Sequence, residues 1–443
     1  MGLAYLAGYV HSRGADRFSV RILDMMGSHE DVPQLVASIV AQQPKVVGFS
    51  VVTGNVGVAC DMARHLRGSL PDVHLVAGGP HATVRPADLA SAFDAVVVRE
   101  GEESFWELLN SYRDGSEGSG IPGVWLPNAP ELFVERPLLR SLDQVPPPDR
   151  DSLSLSSYYH SYPHRTAEGY PNFTTVFTSR GCAHNCGFCG NRKLWQSRVR
   201  YFGLARVKEE LDEVTSKHRV GLVFFDDDSF TASRQRVLSL CQLIRDEYPY
   251  LKWVIHARVD QVDPPLLAMM KQSGLVEIQF GLESGDQEIL DAMGKGIRLE
   301  QAEAALRWCR ELGIRTWGTF VLGYPGETER TLRRTLSFAK RINPSYASFI
   351  PLLPFPGSAV FDELEEKGRL LTRNWDDYSW YRPPVFHTPQ LEDKTLLAWV
   401  RKGYLEFYLR PSKLLEILGD LLASRSHREM LRDVHAWWSI VTK

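Results

Sequence analysis

The chain is poor in cysteine, with six in 443 residues, and it has no basic excess: 51 Lys and Arg stand against 54 Asp and Glu, for a net charge of -3. Six cysteines in so long a chain are too few for a disulfide scaffold, which points to a reducing compartment. A near-neutral balance lacks the basic footprint of a nucleic-acid binder, so no nucleic-acid partner is expected. Runs of about 18 apolar residues are missing, and the first ten residues carry no basic segment ahead of an apolar one. No transmembrane segment and no export signal are therefore expected, and the cytoplasm is the expected compartment. What the chain does have, 44% hydrophobic and 24% charged residues, is the composition of an ordinary globular protein. Its length allows about three domains.

The scarce cysteines are not spread evenly. Cys182, Cys186 and Cys189 fall within the stretch Arg-Gly-Cys-Ala-His-Asn-Cys-Gly-Phe-Cys-Gly-Asn, residues 180–191, at C-x3-C-x2-C spacing directly after a strand-like run. Three thiolates on one loop suit several chemistries. A structural zinc ion takes four protein ligands and would have to recruit His184 or a distant group. The Cys186 to Cys189 pair also has the C-x-x-C spacing of catalytic disulfides. A four-iron cluster held by three thiolates would leave one iron open to a small molecule. The other three, Cys60, Cys241 and Cys309, lie in helical patterns and read as small buried hydrophobes.

Around this loop the chain divides into expected units at 1–112, 113–172, 173–365 and 366–443. In the first, helical patterns at 2–13, 32–42, 55–69, 86–92 and 103–112 alternate with short apolar strands at 19–23, 46–52, 74–77 and 95–98. Apolar strands between helices imply a doubly wound, Rossmann-like α/β domain with a parallel sheet. Ligands of such sheets sit beyond the carboxyl ends of the strands. Those ends carry Ser50 and Thr53, then Gly78 and Gly79 in Gly-Gly-Pro-His-Ala-Thr, then Glu100 in Glu-Gly-Glu-Glu. Residues 113–172 read as a connector, with a candidate hairpin between 124–126 and 132–135 and aromatics at Tyr158, Tyr159 and Tyr162. From 173 the pattern becomes regular. Strands at 173–178, 221–225, 252–256, 276–281, 315–322 and 345–350 alternate with helices, which predicts a partial (β/α)6 barrel.

Active-site groups of such barrels gather where strands run into helices. Those positions carry the cysteine loop, then Asp226-Asp227-Asp228, His256-Ala257-Arg258, Glu283-Ser284-Gly285, Gly323-Tyr324-Pro325-Gly326-Glu327 and Pro354-Phe355-Pro356-Gly357. The bland readings are that the acidic triplet caps a helix, that Arg258 pairs with Asp260, and that Gly-Tyr-Pro-Gly is only a turn. The tail, 366–443, reads as helical. Trp375, Tyr378, Trp380 and Tyr381 suit either a lid over the barrel mouth or packing between domains, and Trp437-Trp438 either an amphipathic helix or an interfacial contact.

The cysteine spacing, with Phe188 before the last cysteine, resembles that of the radical SAM enzymes. The segments Gly-Phe-Ser-Val-Val-Thr-Gly-Asn, Val-Ala-Gly-Gly-Pro-His-Ala-Thr and Arg-Glu-Gly-Glu-Glu-Ser-Phe resemble the cobalamin-binding domain that precedes many of them. The likeness is greatest to the branch that contains cobalamin-dependent methylases and the anaerobic porphyrin ring cyclase. It implies a 4Fe-4S cluster on Cys182, Cys186 and Cys189, S-adenosylmethionine on its open iron, and cobalamin near Ser50, Thr53, Gly78, Gly79 and Glu100. It further implies that Asp226, Asp227 and Asp228 face the ammonium of S-adenosylmethionine and that Arg258 faces its carboxylate. Glu283 and Ser284 would then meet the ribose, and Val321, Gly323 and Tyr324, with Phe188, the remaining surface. Cobalamin domains of this type begin with a central strand and a loop, which in some members carries a cobalt-ligating histidine. This sequence starts at the following helix, so either its Met1 comes late or the sheet lacks its middle strand. The function implied is radical methylation of an unactivated carbon in a small, natural-product or lipid-like substrate, driven by a flavodoxin or ferredoxin. Radical cyclisation or rearrangement is the alternative within the branch, and a cluster-bearing protein without turnover the alternative outside it.

Overall fold

The computed structural model describes residues 1–25, 31–155, 172–380, 382–391 and 393–423. Two sheets organise the chain. The first runs in the order β1 (Val46–Ser50), β2 (His74–Gly78), β3 (Ala95–Val97) and β4 (Val124–Trp125), parallel except for β4. Its middle strands are fully apolar runs, Leu75-Val76-Ala77 and Ala95-Val96-Val97, buried as a sheet covered on both faces requires. Cys60 packs in the same core, and Cys241 and Cys309 in the core of the second unit, all three buried and free.

Two expectations are corrected here. Residues 19–23 form no strand. A strand exists only by pairing, and among the described residues no strand pairs with 19–23. Among the described residues β1 is an edge of its sheet, and its Val46, Val47 and Phe49 are only half-buried. Likewise, 124–126 does not form a hairpin with 132–135. Val124 and Trp125 pair antiparallel with Val97 and Val96, while one backbone bond, Gly123 N–H to Val134 O at 2.7 Å, ties the second segment alongside. An isolated two-stranded hairpin is marginal, whereas joining β3 buries Val124. The expected connector thus contributes a strand to the first sheet.

The second sheet is six-stranded and parallel throughout, in the order β12 (Tyr346–Pro351), β11 (Arg315–Leu322), β10 (Leu275–Glu283), β9 (Lys252–Ala257), β8 (Leu222–Phe225) and β5 (Phe173–Val176). Neighbours in space are neighbours in sequence, as right-handed crossovers dictate, and the result is a partial barrel. The crossover helices have legible starts. Asp263 caps Pro264–Gln272 by accepting from Leu266 N–H at 2.9 Å, and Thr328 opens Glu329–Ile342, which turns Leu332, Leu336 and Ala339 inward. Alternation sorts the strand residues. Val223, Phe225, Trp253 and Ile255 face the helices, while Leu222, Phe224, Val254 and Val276 form a separate apolar belt on the other face.

A small antiparallel ribbon, β6 (Ser179–Arg180) with β7 (Arg200–Tyr201), closes the base of the cysteine loop. In the tail, Trp375 and Tyr378 are buried between domains. Trp375 lies 5.0 Å from His81 and 6.2 Å from Phe361, with the Arg85 guanidinium 5.8 Å above its ring. Trp380 is exposed, and Tyr381, Trp437, Trp438, Tyr158, Tyr159 and Tyr162 lie outside the described residues. Among the described residues no helix is long and apolar enough to cross a membrane.

Candidate functional site

The rim at the carboxyl ends of the barrel strands gathers the six expected clusters, beginning with the cysteine loop. The loop is anchored by two of the three aspartates that follow β8. Asp227, 1% exposed, accepts from Thr178 N–H at 2.6 Å, Thr178 Oγ1 at 2.5 Å, Ser179 N–H at 3.1 Å and Ser179 Oγ at 2.7 Å. Asp228 accepts from Gly181 N–H at 3.0 Å and Asn191 Nδ2 at 2.6 Å. Burial raises the Asp227 carboxyl to about 6 against the pull of these donors. Asp226 differs: its side chain is 39% exposed on the rim, with His256 Nε2 at 3.6 Å. The acidic triplet therefore divides into a buried brace, Asp227, an exposed brace, Asp228, and the outward carboxylate of Asp226, so it is Asp227 that is closed to a ligand's ammonium.

Further along, the loop presses against the Met293–Gly296 turn. Gly187 N–H donates to Met293 O at 2.7 Å, and a Cβ at Gly187 would lie 2.6 Å from Tyr324 Oη. Only glycine permits that approach. The three thiols are free and half-buried. Burial raises the Cys182 thiol, and the Cys189 thiol to about 11, so a metal would displace their protons on binding. Among the described residues no three His, Cys, Asp or Glu side chains converge on one point. Three thiols on one loop are the donor set of a four-iron cluster whose fourth iron stays open, and that donor set fits the cluster.

The same turn organises the rest of the rim. Lys295 Nζ lies 2.7 Å from Glu283 Oε1 and 5.7 Å from the Phe188 ring centre. Glu283 has φ +60° at a register shift in β10, a conformation that turns its carboxylate toward the lysine. Arg258 is engaged by Asp260 at 3.0 and 2.9 Å and by Lys295 O at 2.8 Å, so its pairing within the rim is realised. Ser284 is fully buried, 3.1 Å from Thr335 Oγ1. Tyr324 and Val321 are buried, and Gly323 and Tyr324 direct their N–H groups at Glu327 Oε2, at 2.5 and 3.2 Å. Burial raises Glu327 to about 8, and its Oε1 has no partner among the described residues. Sequence reasoning missed Lys295. The available signal was its place between Gly294 and Gly296, both at positive φ, just after a helix.

On the first sheet the expected cobalamin contacts separate. Ser50 is exposed at the end of edge strand β1. Gly48 beside it is exposed as well, with the Phe105 ring 3.9 Å from where a Cβ would stand. Thr53 is buried with its Oγ1 3.2 Å from His81 Nδ1. Gly78 is half-buried, while Gly79, at φ +103°, would place a Cβ 2.9 Å from Val51 O; its own backbone requires the glycine. Glu100 is buried, with both oxygens engaged by Arg180, Arg200 and Leu139 N–H, so it is not open to a ligand.

Comparison with known proteins agrees with this division. Residues 176–339 match the radical SAM superfamily and residues 1–109 the B12 binding domain. The chain is 31% identical over 440 residues to an uncharacterized methyltransferase of Pyrococcus horikoshii, covering 98% of this chain and 93% of that one. It is 28% identical to the anaerobic magnesium-protoporphyrin IX monomethyl ester cyclase of Rubrivivax gelatinosus, over 92% of this chain and 73% of the cyclase. In fold it is similar to the radical S-adenosylmethionine methyltransferase TsrM from Kitasatospora setae, with a TM-score of 0.73 at 18% identity over 93% and 86% of the two chains.

Proposed function

From membership of the B12-domain radical SAM family, to which this chain belongs, we propose that it methylates an unactivated carbon of a small molecule. The observation that supports this most is that one chain sets a three-thiol loop on a barrel rim directly against a B12-binding domain. When bound, the 4Fe-4S cluster and S-adenosylmethionine supply a hydrogen-abstracting radical and cobalamin supplies the methyl group. The protein's part is positioning. Cys182, Cys186 and Cys189 hold the cluster. Glu283, oriented by Lys295, receives the ribose hydroxyls, Lys295 and Arg258 bring positive charge toward the carboxylate, and Asp226 accepts from the ammonium. Phe188 and the Val321 to Tyr324 backbone flank the adenine. His256, with its side chain partly exposed on the rim and the Phe224 ring 4.8 Å away, offers the substrate one polar group beside an aromatic face. That combination suits a substrate with an apolar body and one polar group, such as a natural product or lipid-like molecule. The electron comes from a flavodoxin or ferredoxin, since cluster potentials extend to about -700 mV.

The test is anaerobic. Protein reconstituted with iron, sulfide and hydroxocobalamin, then reduced with S-adenosylmethionine present, is expected to form both 5'-deoxyadenosine and S-adenosylhomocysteine. Formation of 5'-deoxyadenosine alone would favour the second reading, radical cyclisation, which the 28% match to the ring cyclase supports. Formation of neither would leave a cluster-bearing protein without turnover.

A further inference from the structure

The cysteine loop, residues 181–199, leaves and re-enters the fold through one pair of residues, because Arg180 and Arg200 face each other across the β6–β7 ribbon. Both arginines reach out of the barrel to the same carboxylate. Arg180 Nη1 donates to Glu100 Oε1 at 2.8 Å, and Arg200 Nη1 donates to Glu100 Oε2 at 2.7 Å. Glu100 Oε2 also accepts from Leu139 N–H at 2.8 Å, and Arg180 Nη2 reaches Glu102 Oε1 at 2.6 Å. Glu100 and Glu102 follow β3 of the B12-binding domain, so the ends of the loop are tied to that domain and not only to the barrel.

The tie is buried. The side chains of Glu100 and Arg180 are 6% and 11% exposed, and the Arg180 guanidinium lies 5.5 Å from the Tyr5 ring and 5.8 Å from the Phe202 ring. Burial alone pushes the Glu100 carboxyl up, but the bond from Arg200 and the charges of Arg180 and Arg200 hold it below its ordinary range. Arg200 Nε and Nη2 have no hydrogen-bond partner among the described residues, which leaves Glu100 as the anion this guanidinium is bonded to. A buried ion pair adds little net stability compared with an apolar replacement, yet removing one member strands the other, so its usual value is in fixing one geometry.

We infer that Glu100 is a positioning residue, which through Arg180 and Arg200 sets the cysteine loop at a fixed place against the B12-binding domain. The inference rests on the cobalamin-dependent radical reading for its purpose, since the cofactor that makes the substrate radical and the one that gives it a methyl group must be held in register. It also replaces the expectation that Glu100 touches cobalamin.

The test is Glu100→Gln in the full chain, reconstituted anaerobically with iron, sulfide and hydroxocobalamin, with iron and cobalt counted and amide hydrogen exchange followed. The neutral amide keeps the shape of the carboxylate and removes its charge. Iron and cobalt per chain are expected to stay within about twofold of the unsubstituted protein, while amides of 181–199 exchange about tenfold faster and those of β2 do not change. Cobalt lost with loop exchange unaltered would overturn the inference in favour of a cobalamin contact, and no change in either would overturn it outright. If Glu100→Gln fails to fold, Arg200→Gln decides from the barrel side: faster exchange of 181–199 with cobalt retained supports the tie, and unaltered exchange overturns it. Exchange measured on iron-loaded protein without cobalamin keeps the two readings separable. Unsubstituted protein that takes up no cobalt fails the functional reading, while the loop's response to Glu100→Gln still judges the tie.

Discussion

The two ligand-facing rims of this protein are built on opposite plans. On the barrel rim almost every charged group is engaged by another: Asp227 and Asp228 by the cysteine loop, Arg258 by Asp260, Glu283 by Lys295. On the rim of the first sheet the surface is backbone, glycine and hydroxyl, with Ser50 and Gly48 beside an open edge strand. The difference matches what the proposed function asks of each. A rim that organises charge for a small ionic ligand needs its own charges fixed in advance, because buried polar groups are strong only when every partner is satisfied. A rim that meets a broad, flat ligand needs close approach instead.

The comparison can be broken most severely at the thiols. Replacing any of Cys182, Cys186 or Cys189 by alanine removes one of the three cluster ligands, so iron content is expected to collapse and 5'-deoxyadenosine formation to fall by about a thousandfold or more. Retention of full iron and full cleavage by Cys186→Ala would sink the ligand assignment.

A subtler division lies within the acidic triplet. Asp227→Ala strands four buried donors and is expected to destabilise the protein by about 3 to 5 kcal/mol in denaturant titration. Its neighbour Asp226, half-exposed beside His256, should tolerate Asn to within about 0.5 kcal/mol while weakening S-adenosylmethionine binding. Equal stability losses at the two positions would erase the distinction between brace and ligand group.

On the other rim, Gly79→Ala forces a Cβ against the Val51 backbone at positive φ and is expected to cost about 1 to 3 kcal/mol, localised by hydrogen exchange to the first sheet. A further effect is one of pH. Glu327 is raised from the ordinary value of 4.5 to about 8, so the folded state holds its proton more tightly than the unfolded state does. Its contribution to stability is complete below about 4.5 and is lost as pH rises through about 8. Glu327→Gln, which keeps an acceptor for Gly323 and Tyr324 N–H, should flatten that decline in denaturant midpoints measured from pH 6 to 9.

Much of this was legible in the sequence, and the reasons are local. The C-x3-C-x2-C spacing lies within eight residues, and the barrel strands announce themselves by short apolar runs between amphipathic helices. The misreadings involve distance. Residues 19–23 have strand composition but pair with no strand among the described residues. Asp227 meets Thr178 across 49 positions and Glu100 meets Arg200 across 100, so nothing near either carboxylate in sequence shows that it is already engaged. Trp375 and Tyr378 fitted a lid or a domain seam equally well until His81 and Phe361 were seen around them.

The most direct measurement is iron and cobalt per chain in one anaerobically reconstituted sample, after removal of free ligand. About four irons with near-stoichiometric cobalt is the result the proposed function predicts, with the cluster on the thiol loop and cobalamin on the first sheet. About four irons with cobalt near zero would contradict it, and would leave a radical enzyme whose first domain does not bind the methyl carrier.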